Sequence, residues 1–336
     1  MTQTFDERAI ELVVNLGLAV TSDIMSVRPL TGGVASDIGV VQTTGGAFCV
    51  KFALEQLRVA QDWHVPISRN RAEYDWLAFA GSVVPGAVPQ LFGHNAAAAG
   101  FAMELISGPD VVLWKNAMLS GHSLGQEAVM VADALGRIHR AGAAPGFDRT
   151  GFDNRDLFRA IRIDPYLSFT ATRHPAVADR LNQLAEALFA AHQTLVHGDV
   201  SPKNILIRPA GPVFLDAECA TMGDPAFDLA FCINHLVLKS DHIDIRILDS
   251  IPMAWTAYAP HVTWEDAAAL QARVAALVPA LMLARIDGKS PVEYLSEPER
   301  VHIRQLALGL LAQDHATLAT LVQAIADHLP TAKDIR

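Results

Sequence analysis

Cysteine is nearly absent from this 336-residue chain. Cys49, Cys219 and Cys232 are odd in number and never spaced C-x-x-C, which excludes a disulfide framework or a thiolate zinc site and suits small core residues in a reducing compartment. No uninterrupted apolar run approaches the ~18 residues of a membrane span. The polar, acidic start from Met1 to Glu7 lacks the basic region and apolar core of a secretory signal, so the expected compartment is the cytoplasm, with no membrane partner. Positive charge is in deficit as well. A net charge of −10 argues against a nucleic acid or an anionic membrane surface as partner, so any anionic ligand has to be attracted locally. There is no internal repeat and no low-complexity linker, and the 13 histidines are scattered. What remains is ample apolar material, 51% of residues, over a length that suits two lobes better than one core, since single cores stop growing near ~250 to 300 residues.

The chemistry concentrates in Val196-His197-Gly198-Asp199-Val200-Ser201-Pro202-Lys203-Asn204-Ile205-Leu206-Ile207. Apolar flanks enclose a polar loop with an acid, Asp199, and an amide five residues on, Asn204. Val213-Phe214-Leu215 then reads as a short buried strand delivering a second acid, Asp216. Phosphoryl transfer needs such a set, because its transition state gains little from covalent help and much from metal-held charge and an oriented nucleophile. Asp199 is the expected base for the acceptor hydroxyl, and Asn204 and Asp216 are hard oxygen ligands suited to Mg²⁺ on nucleotide phosphates. Ordinary turn punctuation between two core strands is the plainer alternative. It is outweighed by the downstream Asp216-Ala217-Glu218 and Gly223-Asp224-Pro225-Ala226-Phe227-Asp228-Leu229-Ala230.

With these motifs the sequence resembles the aminoglycoside phosphotransferase and choline kinase-like family, small-molecule kinases built on the protein-kinase fold. The resemblance covers nearly the whole chain. It implies an α+β, bilobal structure, with an antiparallel-sheet N-lobe over residues 1–106, a hinge at 107–109 and a mainly helical C-lobe over 110–336. It also implies ATP (or GTP) and Mg²⁺ as cofactors and a small hydroxylated molecule as acceptor. A nucleotide-binding pseudokinase or regulatory module is a second reading that the fold alone permits. A protein kinase is disfavoured, because residues 217–222 between Asp216 and Gly223 leave no room for an activation segment and Gly198 replaces the usual arginine.

Upstream, Thr4 to Leu18 has the pattern of an amphipathic helix, with Thr4 as cap and Ile10, Val13 and Val14 apolar. Strands are predicted over Val27 to Leu30, Ile38 to Thr43, Ala47 to Ala53, Pro89 to Phe92 and Phe101 to Ile106. Between the first two, the paired glycines of Thr31-Gly32-Gly33-Val34-Ala35-Ser36-Asp37 let backbone amides approach a phosphate. A plain hairpin turn is the alternative; the resembling family carries a short Gly-Gly-x-x-Ser version, implicating Gly32, Gly33 and Ser36. Lys51 alternates with Val50 and Phe52, and by resemblance is the strand lysine that binds α and β phosphates. Its expected partner is Glu73, with Asp75 as rival. Resemblance also assigns Met103 to line the purine pocket and backbone groups between Glu104 and Ile106 to hold the base. Asp224 and Asp228 are predicted to cap a helix and buttress the catalytic loop, with His197 anchoring that loop, while Glu218 and Lys203 are further candidates there.

Further helices are predicted over Ser123 to Ala141, Val177 to His192, Ala267 to Ile286 and Val301 to His328. The acceptor is the least legible feature. Helical spacing puts Arg155, Arg159 and Arg162 on one face that could receive a carboxylate or phosphate, unless it is only solvated surface. Asn234 and His235 are candidates to bind hydroxyls. Such a face suits a polycationic aminoglycoside poorly, so the expected substrate is a small hydroxylated metabolite, with an aminoglycoside-modifying kinase as the alternative.

Overall fold

A computed structural model describes residues 3–30, 35–56, 58 and 65–329. Gly32 and Gly33 lie outside the described residues, so their expected phosphate contact does too. The N-terminal helix α1 (Phe5–Asn15) begins where Thr4 and Glu7 cap each other, Glu7 N–H donating to Thr4 Oγ1 at 3.2 Å and Thr4 N–H to Glu7 Oε2 at 2.8 Å. It buries Ala9, Leu12 and Val13, a stripe displaced by a residue from the predicted Ile10 and Val14. Strands β1 (Ile24–Pro29), β2 (Ser36–Thr43) and β3 (Gly46–Ala53) follow, then α2 (Arg69–Val83), β4 (Leu91–Asn95) and β5 (Gly100–Glu104). The five strands form one antiparallel sheet in the order β1-β2-β3-β5-β4.

Strand alternation separates the two faces of this sheet. Val41, Val50, Phe52 and Ala102 pack against α1 as one apolar cluster. Lys51, opposite Ile38 on β2 and Phe101 on β5, leaves by the other face, toward α2. That helix buries Arg69, Ala72, Glu73, Trp76, Leu77 and Ala80. Ala78, between buried Leu77 and Ala80, is exposed.

Past Glu104 come β6 (Val112–Leu113), α3 (Trp114–Leu119), α4 (Ala128–Gly142) and α5 (Arg155–Phe158). The chain continues through a π-helical stretch, Arg159–Ser168, into α6 (Phe169–Arg173) and α7 (Ala178–Ala190). Four short strands carry the catalytic loop: β7 (Thr194–Val196), β8 (Ile205–Arg208), β9 (Gly211–Phe214) and β10 (Thr221–Gly223). β7 pairs with β10, and β8 is the middle strand of a β6-β8-β9 sheet. Helices α8 (Pro225–His242), α9 (Ser250–Tyr258), α10 (Ala267–Asp287), α11 (Glu297–Leu311) and α12 (Leu318–Ala326) complete the fold. The predicted helix over Val301 to His328 is thus two helices, divided where Thr317 accepts from Thr320 N–H at 3.2 Å and caps the second.

Helix α10 is long and apolar enough to cross a membrane, but 61% of its most apolar window is buried inside the protein. It packs on α8 and α11, so Val274, Leu277, Val278, Leu281 and Leu283 go into the core, each such burial stabilising by ~1.5 to 3 kcal/mol.

Candidate active site

The candidate catalytic loop is held by polar residues of its own and of the helices behind it. Asp224 caps α8 by accepting from Ala226 N–H at 3.0 Å, and Asp228, one turn on, is fully buried. Its carboxylate accepts the N–H of His197 and the N–H of Gly198, both at 2.7 Å, and lies 3.2 Å from His139 Nε2. His197 Nδ1 accepts from Asp199 N–H at 3.1 Å, which leaves Nε2 to donate to the Leu215 carbonyl at 3.1 Å. Burial holds this imidazole below its ordinary pKa, against the pull of Asp228 and Asp199, and so favours that neutral form. Gly198 sits at φ +80°, and a Cβ there would meet Cys219 Cβ at 2.7 Å. No larger residue fits that turn unstrained.

We expect Asp228→Asn to cost about 1 to 3 kcal/mol, because an amide cannot accept on both sides and at least one buried donor is orphaned. A denaturant midpoint equal to that of the parent would remove Asp228 from this role.

Asp199 is 2% exposed. Its carboxylate accepts from Arg162 Nη2 at 2.8 Å, lies 3.2 Å from the half-exposed Lys203 ammonium, and accepts from Ser201 Oγ at 3.3 Å. Burial alone would raise its pKa, but Lys203 and Arg162 outweigh burial and hold it below the usual carboxylate range. Asn204 Nδ2 donates to the Asp199 carbonyl at 3.1 Å, and Leu215 N–H donates to the Asn204 carbonyl at 2.9 Å, which brings the chain to Asp216. Asp216 adopts φ 66°, a left-handed conformation uncommon outside glycine and costing about 1 to 3 kcal/mol.

Lys51 is buried and meets two carboxylates, Glu73 Oε1 at 2.7 Å and Asp216 Oδ1 at 2.5 Å. These acids keep its ammonium protonated in spite of burial. Burial raises the Glu73 carboxyl to about 7 even with Lys51 beside it. Asp75, the rival partner, pairs instead with Arg71 at 2.7 Å on the helix surface. The structure therefore brings Lys51, Glu73, Asp199, Asn204 and Asp216 into one cleft, joined from the sheet, α2 and the catalytic strands.

Ser36 opens β2 and is buried. Met103 is buried near the end of β5, and Glu104 Oε2 accepts from Gln90 N–H at 3.1 Å. Among the described residues, the backbone N–H and C=O of Ile106 have no backbone partner, so both are available to a ligand.

The arginine face is dispersed. Pro165 supplies no N–H to the turn behind it, the helix widens to π geometry, and the Ile161 carbonyl accepts from Arg162 Nη1 at 2.8 Å. Arg162 consequently turns inward, its Nε donating to the Gly198 carbonyl at 2.6 Å. Arg159 pairs with Glu186 at 2.5 Å and Arg155 with Asp153 at 2.8 Å, both away from the loop. Asn234 and His235 are buried in α8 with Asn234 Oδ1 and His235 Nε2 unpartnered.

Arg69 is a site residue that the sequence reading missed. It is fully buried, donating through Nε to Glu218 Oε2 at 3.0 Å and through Nη2 to the Ala35 carbonyl at 2.6 Å. It thereby engages Glu218, a candidate metal helper. Its place four residues before Glu73 on a buried helix stripe was the available signal.

The chain belongs to the phosphotransferase enzyme family, whose model matches residues 26–258. It is similar to methylthioribose kinase 2 of Oryza sativa subsp. japonica, 22% identical over 246 residues, 64% of this chain and 57% of that protein. It is also 22% identical over 300 residues to the methylthioribose kinase of Bacillus pumilus (strain SAFR-032), 77% of this chain and 74% of that protein. The chain thus spans little more than half the length of the rice protein. Among solved structures it is similar to a choline/ethanolamine kinase family protein from Mesorhizobium loti, with a TM-score of 0.56 and 16% identity over 95% of this chain and 99% of that one. Choline kinase LicA from Streptococcus pneumoniae gives 0.50 and 17% over 90% and 99%. The fold is the α+β, bilobal protein kinase-like fold.

Proposed function

We propose that this protein transfers the γ-phosphate of ATP to a hydroxyl of a small metabolite. The observation that carries the reading is the joining of Lys51 to both Glu73 and Asp216 beside a buried, ionised Asp199. Family membership and the similar methylthioribose kinases support it. Residues 107–109 are the hinge in this reading, with the purine against Met103 and the backbone of Glu104 to Ile106. Lys51 holds the nucleotide phosphates and is itself oriented by Glu73.

Asp199 takes the acceptor hydroxyl's proton at its carboxylate, which Arg162 and Lys203 keep charged and aimed. Asp216 Oδ and Asn204 Oδ1 fit Mg²⁺. Two oxygen donors suit an ion that keeps its waters and nucleotide phosphates, and no cage of three or more His, Cys, Asp or Glu occurs among the described residues. Bound Mg²⁺ supplies charge neutralisation on the phosphates. The working compartment in this reading is the cytoplasm, without a nucleic-acid or membrane partner.

The test is an ADP-release screen, run with ATP and with GTP, over sugars, amino alcohols, hydroxy acids, choline, methylthioribose and aminoglycosides. One small metabolite should stand out by orders of magnitude in kcat/KM. Kanamycin-type compounds as the best acceptors would make it an aminoglycoside kinase. MgATP binding without turnover of any acceptor would favour the nucleotide-binding regulatory module.

A further inference from the structure

Five cations are buried among the described residues: Lys51, Arg69, Arg162, Lys239 and Arg285. Three have a carboxylate within ion-pair distance, namely Glu73 for Lys51, Glu218 for Arg69 and Asp199 for Arg162. Lys239 and Arg285 form no ion pair with any described residue, although they are only 1% and 6% exposed. Lys239 Nζ reaches the Tyr294 hydroxyl at 3.4 Å and lies 4.8 Å from that ring's centroid. Arg285 donates through Nη1 to the Ser290 carbonyl, to Ser290 Oγ at 2.9 Å and to Tyr166 OH at 3.3 Å, while its Nε has no partner among the described residues. Glu293, the acid whose charge acts on Lys239, is bonded to Lys115. Burying a cation without a counter-charge is costly.

The cluster adjoins the catalytic base. Arg162, on Asp199, and Arg285 lie 5.9 Å and 5.8 Å from the Tyr166 ring centroid, so one aromatic ring separates base and cluster. The Tyr166 ring is 5.6 Å from Phe231, and Phe231 is 5.3 Å from His235, whose Nε2 is the unpartnered atom noted above. Burial first, and then the charges of Arg285, Lys239, Lys203 and Lys115, hold the His235 imidazole well below its ordinary pKa. Burial, Lys115 and Arg285 lower Lys239 to about 7, the behaviour of an ammonium lacking its counter-ion. Arg285 and Tyr294 lie beyond the family-matched residues 26–258.

We propose that the acceptor carries a carboxylate or phosphate group, which Lys239 and Arg285 bind while its hydroxyl meets Asp199. His235 and Asn234 then offer their free polar atoms to other hydroxyls of the same molecule. The proposal rests on the phosphotransferase reading and narrows its substrate to small hydroxylated anions, an outcome that neither choline nor methylthioribose satisfies.

The full chain is assayed for ADP release on matched pairs: glycerate against glycerol, gluconate against glucose, and glucose 6-phosphate against glucose, with choline and methylthioribose alongside. The carboxylate and phosphate arms separate the two sources of the anion. The anionic member should win by at least ~10-fold in kcat/KM, a discrimination typical of losing a good polar contact. In Lys239→Met its KM should rise at least ~10-fold with a smaller change in kcat, and the preference should shrink.

A second measurement needs no turnover. With the nucleotide site filled by a non-hydrolysable MgATP analogue, inorganic phosphate or malonate should raise the melting temperature of the parent and leave Lys239→Met unmoved. Lys239→Met should melt above the parent without anion, since it removes an uncompensated buried charge. A neutral or cationic best acceptor overturns the proposal, as does an anion-induced shift that is absent from the parent or equal in both proteins. Failure to bind MgATP sinks the kinase reading instead, and the anion titration, then run without nucleotide, still decides this one.

Discussion

Asp199→Ala should lower phosphoryl transfer by ~10² to 10⁴-fold, the usual worth of a positioned base, while MgATP binds as it does to the parent. Nucleotide binding survives because the phosphate and metal contacts assigned to Lys51, Asp216 and Asn204 are untouched. The alanine also strands Arg162, buried beside it, so Asp199→Asn serves as the companion that preserves volume and still cannot take a proton. The pH profile gives an independent check. Because Lys203 and Arg162 depress the Asp199 pKa, the base stays charged above that lowered value. The same depressed pKa stabilises the fold above the unfolded carboxylate value of ~3.9 and loses that contribution as pH falls through the folded one. The acid limb of kcat/KM should therefore lie below the ordinary carboxylate range. Turnover in Asp199→Ala within a few-fold of the parent, or an acid limb near pH 6, would contradict its role.

The parts of this site that were legible in the sequence are those set by local chemistry. Asp199, Asn204 and Asp216 fall on one strand-loop-strand unit, and Asp228 can reach the loop because α8 starts directly after β10, the strand paired with β7. Glu73 could be separated from Asp75 because only one of the two lies on the buried stripe of α2. What failed depended on distant packing. Ideal helical spacing placed Arg155, Arg159 and Arg162 together, but Pro165 and the widened turn rotate Arg162 onto the Asp199 loop. The pairing of Arg69 with Glu218 spans 149 residues, so the helix stripe could mark Arg69 as buried but not name its partner. Lys239 and Arg285 lie on different helices, and only the packing of α8 on α10 shows that neither has a counter-charge among the described residues. The arginine face that suggested an anionic group is therefore not one surface in the fold, and the proposal of an anionic acceptor rests on Lys239 and Arg285 instead.

Asp216→Ala should weaken Mg²⁺-dependent nucleotide binding more than Asn204→Ala does, since a carboxylate brings full charge to the ion and an amide brings only a dipole. Even residues that merely support metal ligands are worth ~10 to 100-fold in metal affinity, so at least that loss is expected for Asp216. Two side effects must be separated from it. Asp216 occupies φ 66°, where alanine is strained, whereas asparagine tolerates that backbone and removes only the charge. Asp216→Asn is accordingly the cleaner variant. It leaves Lys51 with Glu73 as its remaining carboxylate, at 2.7 Å. Asn204→Ala, for its part, cuts the 3.1 Å bond to the Asp199 carbonyl, a loss of about 1 kcal/mol to the loop that binding in the absence of Mg²⁺ would not register. Calorimetric titration with ATP, with and without Mg²⁺, distinguishes these effects: the metal-dependent increment should collapse in Asp216→Asn and shrink in Asn204→Ala, while metal-free ATP binding changes little. If both variants bind MgATP as tightly as the parent, these two residues are not the metal's ligands, and a binding module that uses the cleft without chemistry becomes the better account.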